Sequence, residues 1–240
     1  MQTNENLIVV TGGSKGIGRA VVARFLHAGF PVATCARSAT DLAALTTAMQ
    51  ADVPGAVLHT LPADLSQPAD CARFAAFVLG LGLPVEVLVN NAGAFTPGRL
   101  QDEPADGSQL RQMLAVNLLS AYDVTLPLLP GLITRGRGHI FTICSTASIT
   151  AYPNGGSYGI AKHALLGLTR NLREELKPAG VRVTAVLPGP TLTASWEGVD
   201  LPRERFVQAE DVAEAILSAY SMSPHAVVEE LLIRPQLGDL

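Results

Sequence analysis

The sequence predicts an α/β fold with three layers, in which helices cover both faces of a mainly parallel β-sheet. Apolar, β-branched runs of strand length recur along the 240 residues, and Ala- and Leu-rich segments with helical spacing lie between them. Most of these runs are apolar at nearly every position, as is typical of strands buried on both faces of a parallel sheet. The alternation of strand and helix therefore predicts parallel strands joined by right-handed crossovers.

The individual elements can be placed from their apolar runs and their end signals. Strands are predicted at residues 7–11, 31–36, 56–61, 85–90, 138–144, 181–187 and 227–233. Helices are predicted at residues 16–29, 41–50, 67–80, 109–134, 157–179 and 209–221. Pro127 and Pro130 lie inside the fourth helical segment. A proline in a helix interior removes a hydrogen bond, so we expect these two residues to kink or end that helix.

Length and composition bound the domain count and exclude several classes of protein. No linker, repeat or low-complexity tract divides the sequence, which predicts a single domain over residues 1–240. Charged residues make up 16% of the chain and hydrophobic residues 48%, a balance that excludes intrinsic disorder. The net charge is −4 and no basic run is present, so we expect no binding to nucleic acid.

The same reading predicts a cytoplasmic protein without metal or membrane. No uninterrupted apolar stretch reaches the ~18 residues of a membrane span, and the polar residues 1–6 do not resemble a secretory signal. The cysteines at 35, 71 and 144 are too widely spaced to form a metal-binding pair. We therefore expect a reducing, cytoplasmic setting and no bound metal.

A glycine-rich turn joins the first predicted strand to the first predicted helix. The turn reads Thr11-Gly12-Gly13-Ser14-Lys15-Gly16-Ile17-Gly18. Glycines at such a junction let the bare backbone approach a pyrophosphate, whose charge the helix dipole favours. The spacing is not G-x-G-x-x-G, and taken alone the turn is also consistent with an ordinary glycine-rich loop.

The end of the second predicted strand indicates which dinucleotide binds. An acidic residue here contacts the ribose 2′-hydroxyl, whereas an arginine accommodates a 2′-phosphate. The chain has Arg37 at this place and no acidic residue until Asp41. Arg37 and Lys15 together are suited to bracket a phosphate, although both are also compatible with solvated surface positions. We therefore predict a preference for NADPH over NADH.

Tyr158 and Lys162 form a candidate acid–base pair. They are four residues apart in a predicted helix and therefore share a helix face. A nearby ammonium should lower the tyrosine pKa from its ordinary value near ~10, which suits the hydroxyl to proton transfer. Ser145 follows the fifth predicted strand. Because ligands in open α/β sheets bind at the carboxyl ends of strands, we expect Ser145 to lie near Thr11 along one edge.

These motifs, taken together, resemble the short-chain dehydrogenase/reductase family in its single-domain branch. The matching motifs, over essentially all 240 residues, are Thr11-Gly12-x-x-x-Gly16-x-Gly18, Asp64-Leu65, Asn90-Asn91-Ala92-Gly93, Asn117, Ser145, Tyr158-x-x-x-Lys162 and Pro188-Gly189. The resemblance implies a Rossmann fold with a mainly parallel seven-stranded sheet in the order 3-2-1-4-5-6-7. Residues 195–200 and 227–235 are similar, more weakly, to bacterial sepiapterin-reductase-like members of the family.

The resemblance also implies roles for individual residues. Tyr158 would donate a proton to a substrate carbonyl, Lys162 would lower its pKa and hold the nicotinamide ribose, and Ser145 would polarise the carbonyl. Asn117 would position a water that relays protons. Asp64 would lie by the adenine, Asn91 by the adenosine ribose and backbone, and Thr193 by the carboxamide. The full set implied for the cofactor is Gly12, Ser14, Lys15, Gly16, Ile17, Gly18, Arg37, Asp64, Leu65, Asn91, Ala92, Gly93, Tyr158, Lys162, Pro188, Gly189, Thr191 and Thr193.

Four residues are candidates for contact with the substrate. The side chains that flank the catalytic edge, and are equally suited to packing, are Phe95, Tyr152, Asn154 and Trp196. Pro190 and Thr191 depart from the family pattern, which weakens the contact assigned to Thr193. Residues 193–205 are short for a substrate lid and therefore suggest a modest substrate. Family relatives often pair through the long helices, which implies a homodimer or homotetramer.

The leading functional hypothesis is an NADPH-dependent reductase that converts the carbonyl of a small molecule to an alcohol, reversibly. A second hypothesis is a 3-oxoacyl thioester reductase, which should need a basic entrance. The few candidates for that entrance are Arg99, Arg135 and Arg137. A third hypothesis is a non-catalytic dinucleotide-sensing protein on the same scaffold, which would need none of Ser145, Tyr158 and Lys162.

Overall fold

The computed structural model describes residues 5–193 and 200–240. Seven strands form one sheet in the order β3-β2-β1-β4-β5-β6-β7, and all neighbouring pairs are parallel. The predicted sheet order is therefore confirmed. The strands are β1 Leu7–Thr11, β2 Val32–Ala36, β3 Leu58–Pro62, β4 Val85–Asn90, β5 Gly138–Ile143, β6 Val181–Pro188 and β7 Glu230–Ile233.

Helices cover both faces of the sheet. They are α1 Gly16–His27, α2 Ala39–Asp52, α3 Pro68–Gly80, α4 Ser108–Leu114, α5 Ser120–Arg135, α6 Gly156–Leu176 and α7 Ala209–Tyr220. Along β1, Ile8 faces a core shared with Phe25 of α1 and Ile216 of α7. Leu7 faces the other core, which includes Phe74 of α3 and Leu128 of α5. Successive side chains of a strand point to opposite faces, so β1 contributes to both cores and is buried throughout.

The two prolines do not end the helix, because Pro127 and Pro130 lie inside a continuous α5. Both are on its exposed face, where water can bond the carbonyls that a proline leaves without a partner. The irregularity lies earlier, in a π-helical turn at Ala115–Leu119 between α4 and α5. Such turns are frequent at functional sites, and this one contains Asn117.

Among the described residues, one continuous helical stretch, Ser108–Arg135, passes the length and hydropathy test for a membrane span. The buried side chains of its second half, including Val124, Leu128 and Leu132, belong to the core beneath the sheet. A core helix of this kind satisfies the same test, so the stretch gives only weak support to a membrane location.

Candidate active site

The glycine turn after β1 is held in place by hydrogen bonds from neighbouring strands. The Gly13 amide donates to Thr34 Oγ1 at 3.1 Å and lies 3.2 Å from the Cys35 carbonyl. The Thr34 hydroxyl in turn donates to the Val10 carbonyl at 2.7 Å. A Cβ on Gly18 would collide with the Gly12 carbonyl oxygen. The turn therefore keeps bare backbone at the start of α1, as a pyrophosphate site requires.

The N-terminus of α1 is open to an anion. Lys15 occupies the N-cap position, and within the described residues no side chain caps this end and its first turn contains no acid. Free N–H groups and the helix dipole there favour a phosphate group. Gly16 has φ of +54°, and a Cβ on it would lie 3.0 Å from Thr193 Cγ2. The segment after β6 therefore reaches the glycine turn.

Asn91 supports the glycine turn directly. Its Nδ2 donates to the Thr11 and Gly12 carbonyls at 2.9 and 3.0 Å. The amides of Asn91 and Ala92 both donate to Thr11 Oγ1 at 2.9 Å. The Asn91 side-chain nitrogen is thus committed to the protein backbone, and the expected contact of this residue with the adenosine ribose stays a prediction.

Two cations stand where a 2′-phosphate is expected. Arg37 follows β2 and is exposed, and Lys15 lies at the start of α1. Lys15 Nζ is 2.8 Å from Asp41 Oδ2, and the lysine side chain is 67% exposed. This ion pair lowers the Asp41 pKa through hydrogen bonding to Lys15. The pairing of Asp41 with Lys15 was not predicted from the sequence.

Asp64 and Leu65 follow β3 at the same edge of the sheet. Asp64 Oδ1 accepts hydrogen bonds from the Ser66 amide and hydroxyl at 3.1 and 2.9 Å, and the Asp64 amide donates to Asp70 Oδ2 at 2.7 Å. Leu65 is buried. The adenine contact expected of these residues stays a prediction, and Asp64 Oδ1 already accepts two bonds from Ser66.

Ser145, Tyr158 and Lys162 converge at the carboxyl end of β5. The Ser145 hydroxyl lies close enough to the Tyr158 hydroxyl to lower the tyrosine pKa by hydrogen bonding. Lys162 Nζ is 5.8 Å from the centre of the Tyr158 ring and donates to the Ile143 carbonyl at 2.8 Å. Ser145 Oγ also accepts the Ala147 amide at 3.1 Å, which fixes the serine at the start of a short helical turn.

Burial controls the protonation of this group. Loss of hydration raises the pKa of Tyr158 to about 12, against the smaller lowering by the Ser145 hydrogen bond. The expectation of a lowered tyrosine pKa is therefore wrong for the structure without ligand. Burial also lowers the pKa of Lys162 to about 8. Across the described residues, no carboxylate forms an ion pair with Lys162, and its ammonium has the Ile143 carbonyl and the Tyr158 ring as neutral partners.

Asn117 lies close to Lys162, at the π-helical turn. Its Nδ2 donates to the carbonyls of Ala94 and Met113 at 3.0 and 3.1 Å, and its Oδ1 accepts the Ala94 amide at 3.2 Å. A Cβ on Gly93 would lie 2.8 Å from Asn117 Oδ1 and 3.6 Å from Lys162 Nζ. Both polar atoms therefore border the same small space beside Gly93.

The segment that follows β6 is held at its base. The Gly189 amide donates to the Ile233 carbonyl at 2.8 Å, and Thr191 Oγ1 donates to the Gly189 carbonyl at 3.0 Å. Thr191 is buried and bridges to Val207. Pro188 ends β6, so Pro188, Gly189 and Thr193 lie at the expected edge of the sheet.

The predicted substrate residues divide into three groups. Phe95 packs edge-on against Tyr158, with ring centres 4.9 Å apart. Tyr152 and Asn154 are exposed near the start of α6, and Asn154 Oδ1 accepts a bond from Arg99 Nε at 3.3 Å. Trp196 lies outside the described residues. Among the three described residues, Phe95 is the one with a ring contact to a candidate catalytic side chain.

Two side chains that sequence reasoning missed hold the catalytic segments. Ser148 Oγ accepts the Ser145 amide at 3.2 Å, completing a reciprocal cap that the serine pair at this spacing could have revealed. Glu103 accepts hydrogen bonds from Ser157, the residue before Tyr158. No local signal in the sequence marks that second contact. In the part of the chain that is described, no group of three His, Cys, Asp or Glu side chains is arranged to hold a metal ion.

An open parallel sheet of this order, with a glycine turn after its first strand, defines the Rossmann class of dinucleotide-binding proteins. Comparison with protein families gives the same result. A family model described as short chain dehydrogenase matches residues 6–203. The chain belongs to the short-chain dehydrogenase/reductase family of oxidoreductases, as its motifs predict.

Known relatives resemble the chain over nearly its whole length. A sepiapterin reductase from Chlorobaculum tepidum is 31% identical and aligns with 98% of this chain and 98% of its own. A metagenomic short-chain oxidoreductase solved with NADP is 29% identical, covers 98% and 99% of the two chains, and has a TM-score of 0.84. An alcohol dehydrogenase from the archaeon Thermococcus sibiricus, complexed with 5-hydroxy-NADP, is 27% identical, covers 96% and 97%, and has a TM-score of 0.88.

Proposed function

We propose that the protein is an NADPH-dependent reductase that converts the carbonyl of a small molecule to an alcohol, reversibly. The observation that carries this proposal is the convergence of Ser145, Tyr158 and Lys162 at the carboxyl end of β5. NADPH, when bound, supplies the hydride, and the protein supplies orientation, a proton and electrostatic stabilisation. The glycine turn and the open N-terminus of α1 fit its pyrophosphate.

In this proposal the serine and the tyrosine hold the carbonyl oxygen. The Ser145 hydroxyl donates a hydrogen bond that polarises the carbonyl, and the Tyr158 hydroxyl gives its proton to the oxygen. Tyr158 carries its proton at neutral pH, and because burial raises its pKa to about 12, proton donation needs neighbouring groups that stabilise the phenolate.

Lys162 and Asn117 stand behind the tyrosine. A buried ammonium near the phenol stabilises the phenolate that proton donation leaves. Asn117 Oδ1 and Lys162 Nζ border the same space beside Gly93, which supports the proposal that a water there returns a proton to the tyrosine. In the reverse direction the same groups accept the proton of the alcohol.

The preference for NADPH is supported by charge. Arg37 and Lys15 flank the place of a 2′-phosphate, and Asp41 neutralises only one of these two cations. An arginine fork and a lysine point charge suit a phosphate better than a ribose hydroxyl. The structural relatives bound to NADP and 5-hydroxy-NADP agree with this proposal.

The alternative thioester substrate finds little support in the arginine positions. Arg135 and Arg137 bind Glu86 near the start of β4, at the amino edge of the sheet. They lie at the opposite edge from Ser145 and cannot form an entrance to the site. Arg99 alone of the three candidates lies near α6, through its bond to Asn154.

We further propose that the chain is a cytoplasmic homodimer or homotetramer that associates through its long helices. The exposed apolar side chains of α5 and α6 support this contact and include Tyr122, Leu126, Ile133 and Ile160. Light scattering at micromolar concentration gives the mass of the assembly, and a strictly monomeric mass contradicts the proposal.

NADPH oxidation across diketones, pterins, sugars and acyl thioesters tests the function, with Tyr158→Phe as the decisive variant. We expect turnover on at least one class, and a loss of about 10²- to 10⁴-fold in kcat in the variant because proton donation is gone. NADPH binding, followed by fluorescence, should stay within twofold. Tyr220→Phe, beside Glu86 at the opposite edge of the sheet, is the matched control and should keep full activity.

The outcomes separate the alternatives. Full activity of Tyr158→Phe contradicts the mechanism, whereas turnover only on acyl thioesters favours the thioester reductase. NADPH binding without turnover on any class supports the dinucleotide-sensing protein instead.

A further inference from the structure

The start of α6, which carries Tyr158 and Lys162, lacks a cap from its own segment. Gly155 is the N-cap residue of α6 and has no side chain that could cap the helix. Within the described part of the chain, the first turn of α6 also contains no acidic residue. The first N–H groups of a helix have no partner inside the helix. This end of α6 therefore depends on another segment for hydrogen-bond acceptors.

Glu103 supplies these acceptors from a segment distant in the sequence. Its Oε1 accepts the Ser157 amide at 2.8 Å, and its Oε2 accepts the Ser157 hydroxyl at 2.5 Å. Ser157 is 1% exposed and immediately precedes Tyr158. A carboxylate at a helix N-terminus is favoured by both the free N–H groups and the helix dipole.

Gly156 makes this contact possible. Its φ is +42°, and a Cβ at this position would lie 2.5 Å from the Gly98 carbonyl oxygen and 2.6 Å from Glu103 Oε1. A side chain at 156 would therefore push the Glu103 carboxylate away from Ser157. The glycine permits close approach between α6 and the segment that contains Gly98 and Glu103.

Residues 94–103, which we call the strap, connect two candidate catalytic positions. At one end the Ala94 backbone makes two hydrogen bonds with the Asn117 side chain. Next along the strap, the Phe95 ring meets the Tyr158 ring edge-on at 77°. At the other end Glu103 binds Ser157, so the strap contacts Tyr158 both at its ring and through the preceding residue.

We propose that Glu103 is a positioning residue for catalysis, which fixes the Tyr158 hydroxyl by capping α6 at Ser157 across the strap. The inference rests on the proposed function for its kinetic readout. Glu103 touches neither Ser145 nor Lys162 in the described contacts, and its carboxylate acts through Ser157. A small misplacement of a reacting group can cost about 10²-fold in rate, so the cap should affect kcat strongly.

Glu103→Ala is the first test, compared with Asp102→Ala, its exposed neighbour. We expect Glu103→Ala to lower kcat by about 10- to 100-fold, because Tyr158 is no longer held in place. The KM for NADPH should stay within twofold, since the glycine turn is untouched. Asp102→Ala should retain the kcat of the native enzyme. A general loss of folding would instead change both kinetic constants and the melting temperature.

Two milder variants keep the proposal open to refutation where Glu103→Ala folds poorly. Glu103→Gln preserves the size and geometry of the side chain, so its amide can accept from the Ser157 N–H and donate to the hydroxyl. We expect Glu103→Gln to recover kcat to within about threefold. Ser157→Ala removes one of the two bonds and should lower kcat less than Glu103→Ala does.

The double variant Glu103→Ala with Ser157→Ala completes the cycle. Because the two residues act through one contact, its kcat should resemble that of Glu103→Ala, with the two effects not multiplying. Native kcat in Glu103→Ala, or multiplicative effects in the double variant, overturns the proposal.

Hydrogen exchange separates this inference from the proposed function. In the NADPH-bound protein, Glu103→Ala should increase exchange of the amides at residues 157–161, and Asp102→Ala should not. This readout needs no substrate. If the native protein reduces no carbonyl, the proposed function fails while the exchange comparison still measures the cap. Unchanged exchange in Glu103→Ala overturns the cap whatever the activity.

Discussion

The buried charges at the two edges of the sheet have different kinds of partner. At the amino edge, the buried Glu86 carboxylate binds Arg135 at 2.7 Å and Arg137 at 2.8 Å. At the carboxyl edge, the buried Lys162 ammonium donates to the Ile143 carbonyl and lies over the Tyr158 ring, and no described carboxylate pairs with it. The first charge is compensated by ions, whereas the second has only neutral partners.

This difference distinguishes structural charge from functional charge. A buried charge with paired partners keeps the fold together, and removing one partner leaves the others uncompensated. A buried charge without a counter-ion destabilises the fold, and such groups cluster at functional sites. The comparison therefore predicts opposite changes in stability: neutralising Lys162 should stabilise the fold, and neutralising Glu86 should destabilise it.

Lys162→Met should produce the largest effect and should separate stability from activity. The Lys162 pKa is about 8 in the fold and 10.5 ordinarily, so the unfolded chain binds more protons between these pH values. The resulting penalty of about 3 kcal/mol is complete below pH 8 and is relieved as the pH rises toward 10.5. Kcat should fall by about 10²- to 10⁴-fold.

Denaturant unfolding from pH 7 to pH 10 measures this change. We expect Lys162→Met to be more stable than the native protein at pH 7 by about 2 kcal/mol, after about 1 kcal/mol is lost with the bond to Ile143. Its stability should also depend less on pH above pH 8. Lys177→Met, an exposed lysine just past the same helix, is the control, and a destabilised Lys162→Met with native pH dependence contradicts the comparison.

Glu86→Gln tests the amino edge. Loss of this charge leaves Arg135 and Arg137 without their shared counter-ion, so we expect destabilisation by roughly 2–3 kcal/mol. The kcat and both KM values should remain native, because the substitution lies at the opposite edge from Ser145. Glu214→Gln removes an exposed partner of Arg24 and should cost less than about 1 kcal/mol. Equal effects in the two variants would argue that the Glu86 cluster has no special structural role.

Arg37→Asp should have the smallest effect on the fold and tests the cofactor preference at the carboxyl edge. Because Arg37 is exposed, we expect stability to change by less than about 0.5 kcal/mol. The ratio of KM for NADPH to KM for NADH should rise by about 10- to 100-fold, since a charge-assisted bond to the 2′-phosphate is lost. Arg24→Asp provides the same charge reversal at the far end of α1, and an unchanged ratio in Arg37→Asp refutes the assignment.

Local sequence patterns predicted most of the fold. The apolar runs placed all seven strands to within three residues at either end, because buried parallel strands are apolar throughout. The fourth helical segment was the exception. Its continuity through Pro127 and Pro130 depends on which face meets solvent, and its π-helical turn at Ala115–Leu119 leaves no pattern in the residues themselves.

The reactive side chains of the candidate site were predicted from the sequence, but the contacts that hold them in place were not. Tyr158, Lys162 and Ser145 were found because helix spacing and strand ends place side chains predictably. The direction of the tyrosine pKa was missed, since burial outweighs the neighbouring groups and depends on the packed structure. Asn91 likewise binds the glycine turn, a contact between residues about eighty positions apart.

Periodicity in the sequence was enough to predict alternating strands and helices, and its motifs were enough to identify the family, and through it the Rossmann sheet order, and the candidate catalytic trio. How that trio is held depends on contacts that form only when the chain folds. Glu103 and Ser157 are 54 positions apart, so no local pattern in the sequence indicates their contact. They meet because the strap folds across the start of α6. Burial, likewise, exists only once the chain has packed, and it sets the protonation of Tyr158 and Lys162.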